Sequence, residues 1–221
     1  MPDVLKILVN YHNAFGRGLL VTLSLASIAW IIGITVGTLL GILSNTYKNF
    51  GIAIQYAYFF VQSIPVIIAL FWAHYPLQEL LGVSIPPFIT AAVILSLYNV
   101  ATIAQIIKIA LSEFPKQYEI AGIVCGLSSQ DIIRKIKAPI IFRNVLPEIL
   151  SAQVSVLQMT LFASLISVGE LFRIAQQINS QIYKPVEIYT GVAVFFIATC
   201  LPLTLLVNKL KTKYSRDYSE K

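Results

Sequence analysis

Five long windows without a charged residue govern what this chain can fold into. Arg17 and Lys48 bracket thirty uncharged residues, Lys48 and Glu79 another thirty, and Glu79 and Lys108 twenty-eight. Glu148 and Glu170 bracket twenty-one, and so do Glu187 and Lys209. A helix needs ~20 apolar residues to cross the hydrocarbon core of a bilayer, where no water is present to satisfy a bare backbone. The windows are longer and more uniformly apolar than the ~10-residue alternating strands of a membrane barrel. The expected fold class is all-α, an integral membrane helical bundle. Its five transmembrane helices lie near 18–44, 52–74, 87–110, 140–168 and 187–208 of a single domain, 1–221. Hydrophobic residues make up 57% of the chain and charged residues 12%, with a mean hydropathy of +0.78. A soluble globule of this size has too little interior for that much apolar side chain. Disorder, a disulfide scaffold and a soluble enzyme are excluded on the same ground.

Five spans put the termini on opposite sides, and basic residues choose the orientation. With the N-terminus outside, the cytoplasmic side holds Lys48, Lys108, Lys116, Arg134, Lys135, Lys137, Arg143, Lys209, Lys211, Lys213, Arg216 and Lys221. The outside holds only Lys6, Arg17, Arg173 and Lys184. The expected topology therefore has the N-terminus outside and the C-terminus in the cytoplasm. It explains the net charge of +6 without nucleic acid. The first span is expected to be retained, because its uncharged stretch far exceeds the 7–15-residue core of a cleaved signal.

The longest stretch between spans, about 111–138, carries the clearest pattern. Gln117 to Cys125 predicts a short helix with small residues Ala121 and Gly122, ended by Gly126. Ser128 followed by Asp131 resembles a capping box for a second helix. There Ile132, Ile133 and Ile136 share one face, opposite Arg134, Lys135 and Lys137, before Pro139 opens the fourth span. The pattern describes a helix–turn–helix on the cytoplasmic membrane surface. It is either an amphipathic linker on lipid headgroups or a surface that a partner protein approaches closely.

These residues resemble the EAA segment of ABC importer permeases. Gly126, Ile136 and Pro139 match its G and the I and P of its I-x-L-P. Gln117, Tyr118, Glu119 and Ala121 resemble the approach to it. Glu119 stands seven residues before Gly126, where the family has six, so Ile120 occupies the glutamate register and Gly122 replaces the second Ala. On a helix that slip turns a side chain by ~100°. Other stretches resemble the polar amino acid branch of the family: Gly18–Leu25 at the first span, Phe60–Pro65 against F-R-G-T-P, and Ala101–Lys108 against A-Y-I-A-E-I-F-R. Gln158–Ser164 with the later Glu170-Leu171 resembles K-D-T-S-L-A-S and its E-L. The likeness runs from about residue 15 to 200.

The resemblance implies a type I ABC importer permease in a bacterial inner membrane, paired with an identical or homologous permease chain. It implies two partner ATPase subunits that hold the ATP and magnesium, and an extracytoplasmic substrate-binding protein. It also implies that Glu119, Ala121, Gly122 and Gly126 couple the chain to the ATPase. A self-sufficient secondary carrier or channel is the alternative, against which five spans without a repeat argue.

Polar residues within the spans face the bundle interior, either lining a path or hydrogen-bonding between helices, the latter worth ~0.5–2 kcal/mol each. Tyr98, Thr102 and Gln105 form one stripe in the third span, with Asn99 beside it. Gln62 precedes Pro65, whose ring disturbs the second helix. The fourth span offers Gln153, Gln158 and Thr160. Gln62, Tyr98, Thr102, Gln105 and Gln158 are the expected substrate path. Gln62, Gln105, Gln158 and Met159 are neutral where the branch often carries charge, so a net-neutral amino acid is the expected substrate. Glu170 and Arg173 lie within one turn, as an outer gate contact or, more in keeping with the energetics, a surface ion pair.

His12 and His74 lack partners at metal-ligand spacing, and no Gly-rich phosphate loop is present, so the chain is expected to hold no metal and no ATP. No catalytic constellation appears, and the expected role is transport, not enzymatic. Cys125 and Cys200 are expected as small buried apolar residues.

Overall fold

The computed structural model describes residues 2–219. Lys221, counted above among the basic residues, lies outside the described residues. The helices run α1 (Pro2–Asn10), α2 (His12–Thr46), α3 (Lys48–Ser63), α4 (Val66–His74), α5 (Pro76–Leu81) and α6 (Pro87–Ser112). They continue with α7 (Lys116–Val124), α8 (Ser129–Asp131), a π-helical segment Ile132–Lys137, α9 (Ala138–Met159), a 3-10 stretch Thr160–Ile166, α10 (Leu171–Ile182) and α11 (Pro185–Ser219). Among the described residues, four spans are long and apolar enough to cross a membrane: 12–46, 87–112, 129–166 and 185–214. A fifth is the pair Asn49–Ser63 and Val66–Leu81, bent by 90°.

The buried face of α2 is built mainly from small residues, while many large apolar side chains of the bundle face outward. On α2 the buried positions include Gly18, Thr22, Ala26, Ala29, Gly33, Gly37, Gly41 and Ser44. Ile31, Leu39, Phe60, Trp72, Val194 and Leu205 are exposed. Where the surrounding medium is itself apolar, helices associate through close packing and hydrogen bonds, which small residues permit. Gly33, Gly37 and Gly41 meet α6 at Asn99, Ile103 and Ile107. A Cβ at Gly37 would sit 2.7 Å from Cβ of Ile103, and one at Gly41 2.7 Å from Cβ of Ile107.

The bend in the second span has a local cause. A residue before proline is pushed to extended backbone, and Ile64 takes φ −94°, ψ 122°. The helix cannot continue, and the Ile64 carbonyl is freed. The Tyr98 hydroxyl, from α6, donates to that carbonyl. A broken helix survives at membrane depth when a neighbour satisfies its backbone in this way. The polypeptide then turns through α5, where Gln78 donates to Thr90 Oγ1 at 3.1 Å and its Oε1 accepts the Ile85 N–H at 2.8 Å.

The segment between the third and fourth spans departs from the expected helix–turn–helix. Gly126, at φ +77°, ends α7 in the left-handed conformation that glycine adopts without strain. Ser128 Oγ accepts the Asp131 N–H at 3.2 Å and donates to Asp131 Oδ2 at 2.7 Å, forming the cap. The second helix does not stop at Pro139. It runs through the π segment directly into α9; Pro139 has no N–H to donate backward, and the departure from α-helical bonding at Ile132–Lys137 falls just before it. Ile132 is buried and Ile136 half-buried, but Ile133 is exposed, so the three do not share a face. Cys200 is buried as expected, whereas Cys125 is exposed because it caps α7 at the outer corner of the turn.

Candidate substrate path and inter-span segment

A polar hollow of about 220 Å3 opens between three helices. Tyr58 and Gln62 line it from α3, Tyr98, Asn99 and Thr102 from α6, and Ala152, Ser155, Val156 and Met159 from α9. Gln62 Nε2 donates to Thr102 Oγ1 at 2.9 Å, and Thr102 Oγ1 donates to the Tyr98 carbonyl at 2.9 Å. At the back of the hollow Asn99 Nδ2 donates to the Ala29 carbonyl and to Gln153 Oε1, both at 2.9 Å. Trp30 Nε1 donates to the Gln153 carbonyl at 3.0 Å. One amide knot thus ties α2, α6 and α9 together behind the hollow. Every lining side chain is uncharged. Amide and hydroxyl groups can orient a polar solute there, but nothing lining it neutralises a net charge.

The structure brings Gln62, Tyr98 and Thr102 together and leaves Gln105 and Gln158 out. Gln105 lies beyond Thr102 on α6, its Oε1 buried without a hydrogen-bond partner, and it does not line the hollow. Gln158 is exposed, because it follows buried Leu157 onto the far side of α9, while Met159 lines the hollow instead. Tyr58 and Ser155 were not expected there. Tyr58 stands one turn before Gln62, so helical spacing around Gln62 was the signal that could have found it. A larger hollow, about 510 Å3, lies in the elbow of the bent span, lined almost wholly by apolar side chains such as Phe60, Ile64, Ile68, Trp72 and Leu97. It offers a polar solute little beyond Tyr98. Lys108 is spoken for: its ammonium donates to the Gly51 carbonyl and to Gln55 Oε1, each at 2.9 Å, clamping α6 to α3.

Glu170 is not half of a surface ion pair. It is fully buried, and no salt bridge joins it to Arg173. Its two carboxylate oxygens cap α10, accepting the Phe172 N–H at 2.9 Å and the Arg173 N–H at 2.7 Å. Beside it the Leu171 N–H donates to Thr22 Oγ1 at 3.1 Å. A Cβ at Gly18 would meet Leu171 Cα at 3.0 Å. Gly18 and Thr22 are therefore the seat on which α10 docks. Glu170 lies outside the spans; burial pushes its carboxyl up to about 7, overcoming the two backbone N–H groups that favour the charged form.

In the inter-span segment Glu119 accepts the Lys137 ammonium at 2.7 Å, and that ammonium lies 5.3 Å from the Phe114 ring centroid. Gly122 is buried against Ile132 and Ile136, while Ala121 and Gly126 are exposed. Ile120, Ile123 and Val124 point away from the bundle, Val124 with 81% of its surface exposed. Asp131 pairs with Lys135 at 2.7 Å.

A bundle of apolar spans around an uncharged polar hollow is the architecture of a membrane transport subunit. The chain belongs to the family described as the inner membrane component of binding-protein-dependent transport systems, whose pattern matches residues 11–216. It is thus a permease subunit of an ABC importer, a multi-pass protein of the inner membrane. It is 28% identical over 189 residues to the glutamine transport system permease protein GlnP of Escherichia coli, covering 83% of this chain and 86% of that one. It is 25% identical over 199 residues to the arginine transport system permease protein ArtQ of Bacillus subtilis, covering 89% and 90%. Among solved structures, an amino acid ABC transporter crystallised with histidines matches at TM-score 0.83 and 22% identity, over 94% of this chain and 97% of that chain. An inward-facing form of the MetNI methionine ABC transporter matches at TM-score 0.67 and 19% identity, over 93% and 98%. At these identities the structures speak for the fold.

Proposed function

We propose that this permease imports a polar, net-neutral amino acid, with ATP hydrolysed by a separate partner ATPase and substrate delivered by an extracytoplasmic binding protein. The observation that carries the reading is the hollow between α3, α6 and α9, sized for a small solute and lined by amides, hydroxyls and apolar groups without a charge. A net charge in a poorly solvated path needs an opposite charge or strongly aligned dipoles. The relatives' names favour amino acids as a class and span neutral and charged ones. The substrate path comprises Gln62, Tyr98 and Thr102 with Tyr58, Asn99 and Ser155. The N-terminus lies outside and the inter-span segment faces the cytoplasm, as the basic residues favour. There α7 presents Ile120, Ile123 and Val124 with Ala121 beside them, an exposed apolar ridge that suits a groove in the ATPase. A second permease chain, identical or homologous, completes the pathway.

The test begins with a mild-detergent pull-down from native membranes and mass spectrometry. The complex that co-purifies is then reconstituted in liposomes, and ATP-dependent uptake of labelled glutamine, arginine and glutamate is compared. Recovery of an ABC ATPase in near-equal amount and preferential uptake of glutamine support the reading. Recovery of the chain alone, or preferential uptake of arginine or glutamate by a homodimer of this permease, refutes it.

A further inference from the structure

We infer that Glu119 is a positioning residue that acts through Lys137, bracing α7 against the base of α9, and that it does not itself contact the partner ATPase. The inference rests on the coupling role proposed above for α7 and assigns one residue within it. Three observations converge. The Glu119 carboxylate is already engaged within the chain, accepting the Lys137 ammonium at 2.7 Å, with both side chains partly withdrawn from solvent. Lys137 also lies over the Phe114 ring, at the turn from α6 to α7, so one ammonium joins α6, α7 and the foot of α9. One turn on from Glu119, Gly122 packs against Ile132 and Ile136, so the face of α7 that bears the carboxylate is the face turned to its own bundle. Of the exposed ridge, Ile120 and Val124 lie about 100° and 140° round the helix from Glu119, and Ile123 stands one turn on beside it.

The pair sits where a push on α7 enters the path. Lys137 is the last residue of the π segment, and α9 follows it without a break and lines the polar hollow through Ala152, Ser155 and Met159. A π turn inside an α-helix is a recurrent site of functional adjustment, and an ion pair at its end fixes how the two helices move together. With the brace intact, displacement of α7 shifts α9 as one body. With it broken, α7 moves on its Gly126 turn and the hollow does not follow.

The test is charge reversal with two independent readouts, using Glu119→Lys, Lys137→Glu and the double reversal in the full chain. The first readout needs no partner. Cys125 is exposed and Cys200 buried, so a thiol-reactive spin label on the purified chain in lipid nanodiscs reports on the end of α7. Each single reversal is expected to increase the label's mobility, and the double reversal to return it to that of the parent. The second readout is uptake per ATP hydrolysed in the co-purified complex. Each single reversal is expected to lower it at least fivefold while the ATPase still co-purifies, and the double reversal to restore it to within twofold.

Unchanged mobility in the single variants overturns the inference, whatever the partner does. Loss of the ATPase on Glu119→Lys, unrescued by Lys137→Glu, overturns it in favour of direct contact. Failure of the parent chain to bring down any ATPase sinks the proposed function instead, and leaves the spin-label result to decide the brace.

Discussion

Replacing Gly33 with alanine should damage both stability and the substrate path, and the structure gives the size of the effect. A Cβ at Gly33 would stand 2.1 Å from Nδ2 and 2.4 Å from Cγ of Asn99, more than an ångström short of ordinary contact at the nearer atom. Two responses are open. Either α2 and α6 separate, which strips the packing at Gly37 and Gly41, or the Asn99 side chain swings away and gives up its bonds to the Ala29 carbonyl and Gln153 Oε1. Overpacking costs about 1–3 kcal/mol, and two interhelical hydrogen bonds in a membrane protein about 0.6 kcal/mol each. Whichever response is taken, the expected loss is about 1–3 kcal/mol, read from denaturant titration of the chain in mixed micelles. Because Asn99 lines the hollow, substrate affinity should fall in the same variant. The reasoning is refuted by the combination with Asn99→Ala. That change removes the two nearest atoms and leaves only Cβ at 2.7 Å, so Gly33→Ala should lose at least half its effect in that background. Additive losses, or no loss from Gly33→Ala alone, would show that the helices do not meet through this contact.

Three further outcomes follow from the same structure. Thr102→Val keeps shape but leaves Gln62 without its acceptor; KM for uptake should rise about tenfold, the equivalent of one hydrogen bond of about 1.4 kcal/mol, with little change in unfolding. Glu170 has a folded pKa of about 7, above its ordinary 4.5. The folded state therefore binds more protons than the unfolded one between those values, and the stability contributed by protonated Glu170 is full below 4.5 and lost as pH rises through 7. Unfolding midpoints measured from pH 4 to 8 should fall accordingly in the parent, and Glu170→Gln should flatten the fall. Gly126→Val puts a β-branched residue at φ +77°, where it is strained by about 1–3 kcal/mol. It should uncouple ATP hydrolysis from uptake; bulky or charged residues at the exposed Ala121 should do the same without destabilising the fold, and full uptake in both would argue against the coupling role.

Much of the architecture was legible because it follows from solvation along the chain. A charge-free window of this length has one stable fate, and five windows give five spans, including the broken one that Pro65 imposes. The ends of α7 were legible for a similar reason: Gly126 and the Ser128–Asp131 cap act on their immediate neighbours. Helical spacing put Tyr98, Thr102 and Gln105 on one stripe, but it does not say which face meets which, and the pairing of Gln62 with Thr102 appears only in the packed structure. That gap accounts for Gln105 and Gln158. Gln105 lies on the polar stripe of α6 and Gln158 is a polar residue within its span, yet the rotation of α6 and α9 about their axes points one beyond the hollow and the other outward. The Gly33, Gly37, Gly41 stripe had a signal in its spacing of four, and it is the reason α2 lies so close to α6.

Sequence alone determined that this chain lives in a bilayer, where its spans run, where the second breaks, and which segment between spans has the form of a docking element. Each of these depends on residues within a turn or two of one another, or on transfer of a whole segment from water. Tertiary structure decided what the polar groups do. Glu170 caps a buried helix instead of pairing with Arg173, Tyr98 satisfies a carbonyl thirty-four residues away, and Glu119 turns inward to Lys137. Each has several partners within reach of its chemistry, and only the packing of the helices selects one, because a buried hydrogen-bonding group is worth most to the partner held in front of it.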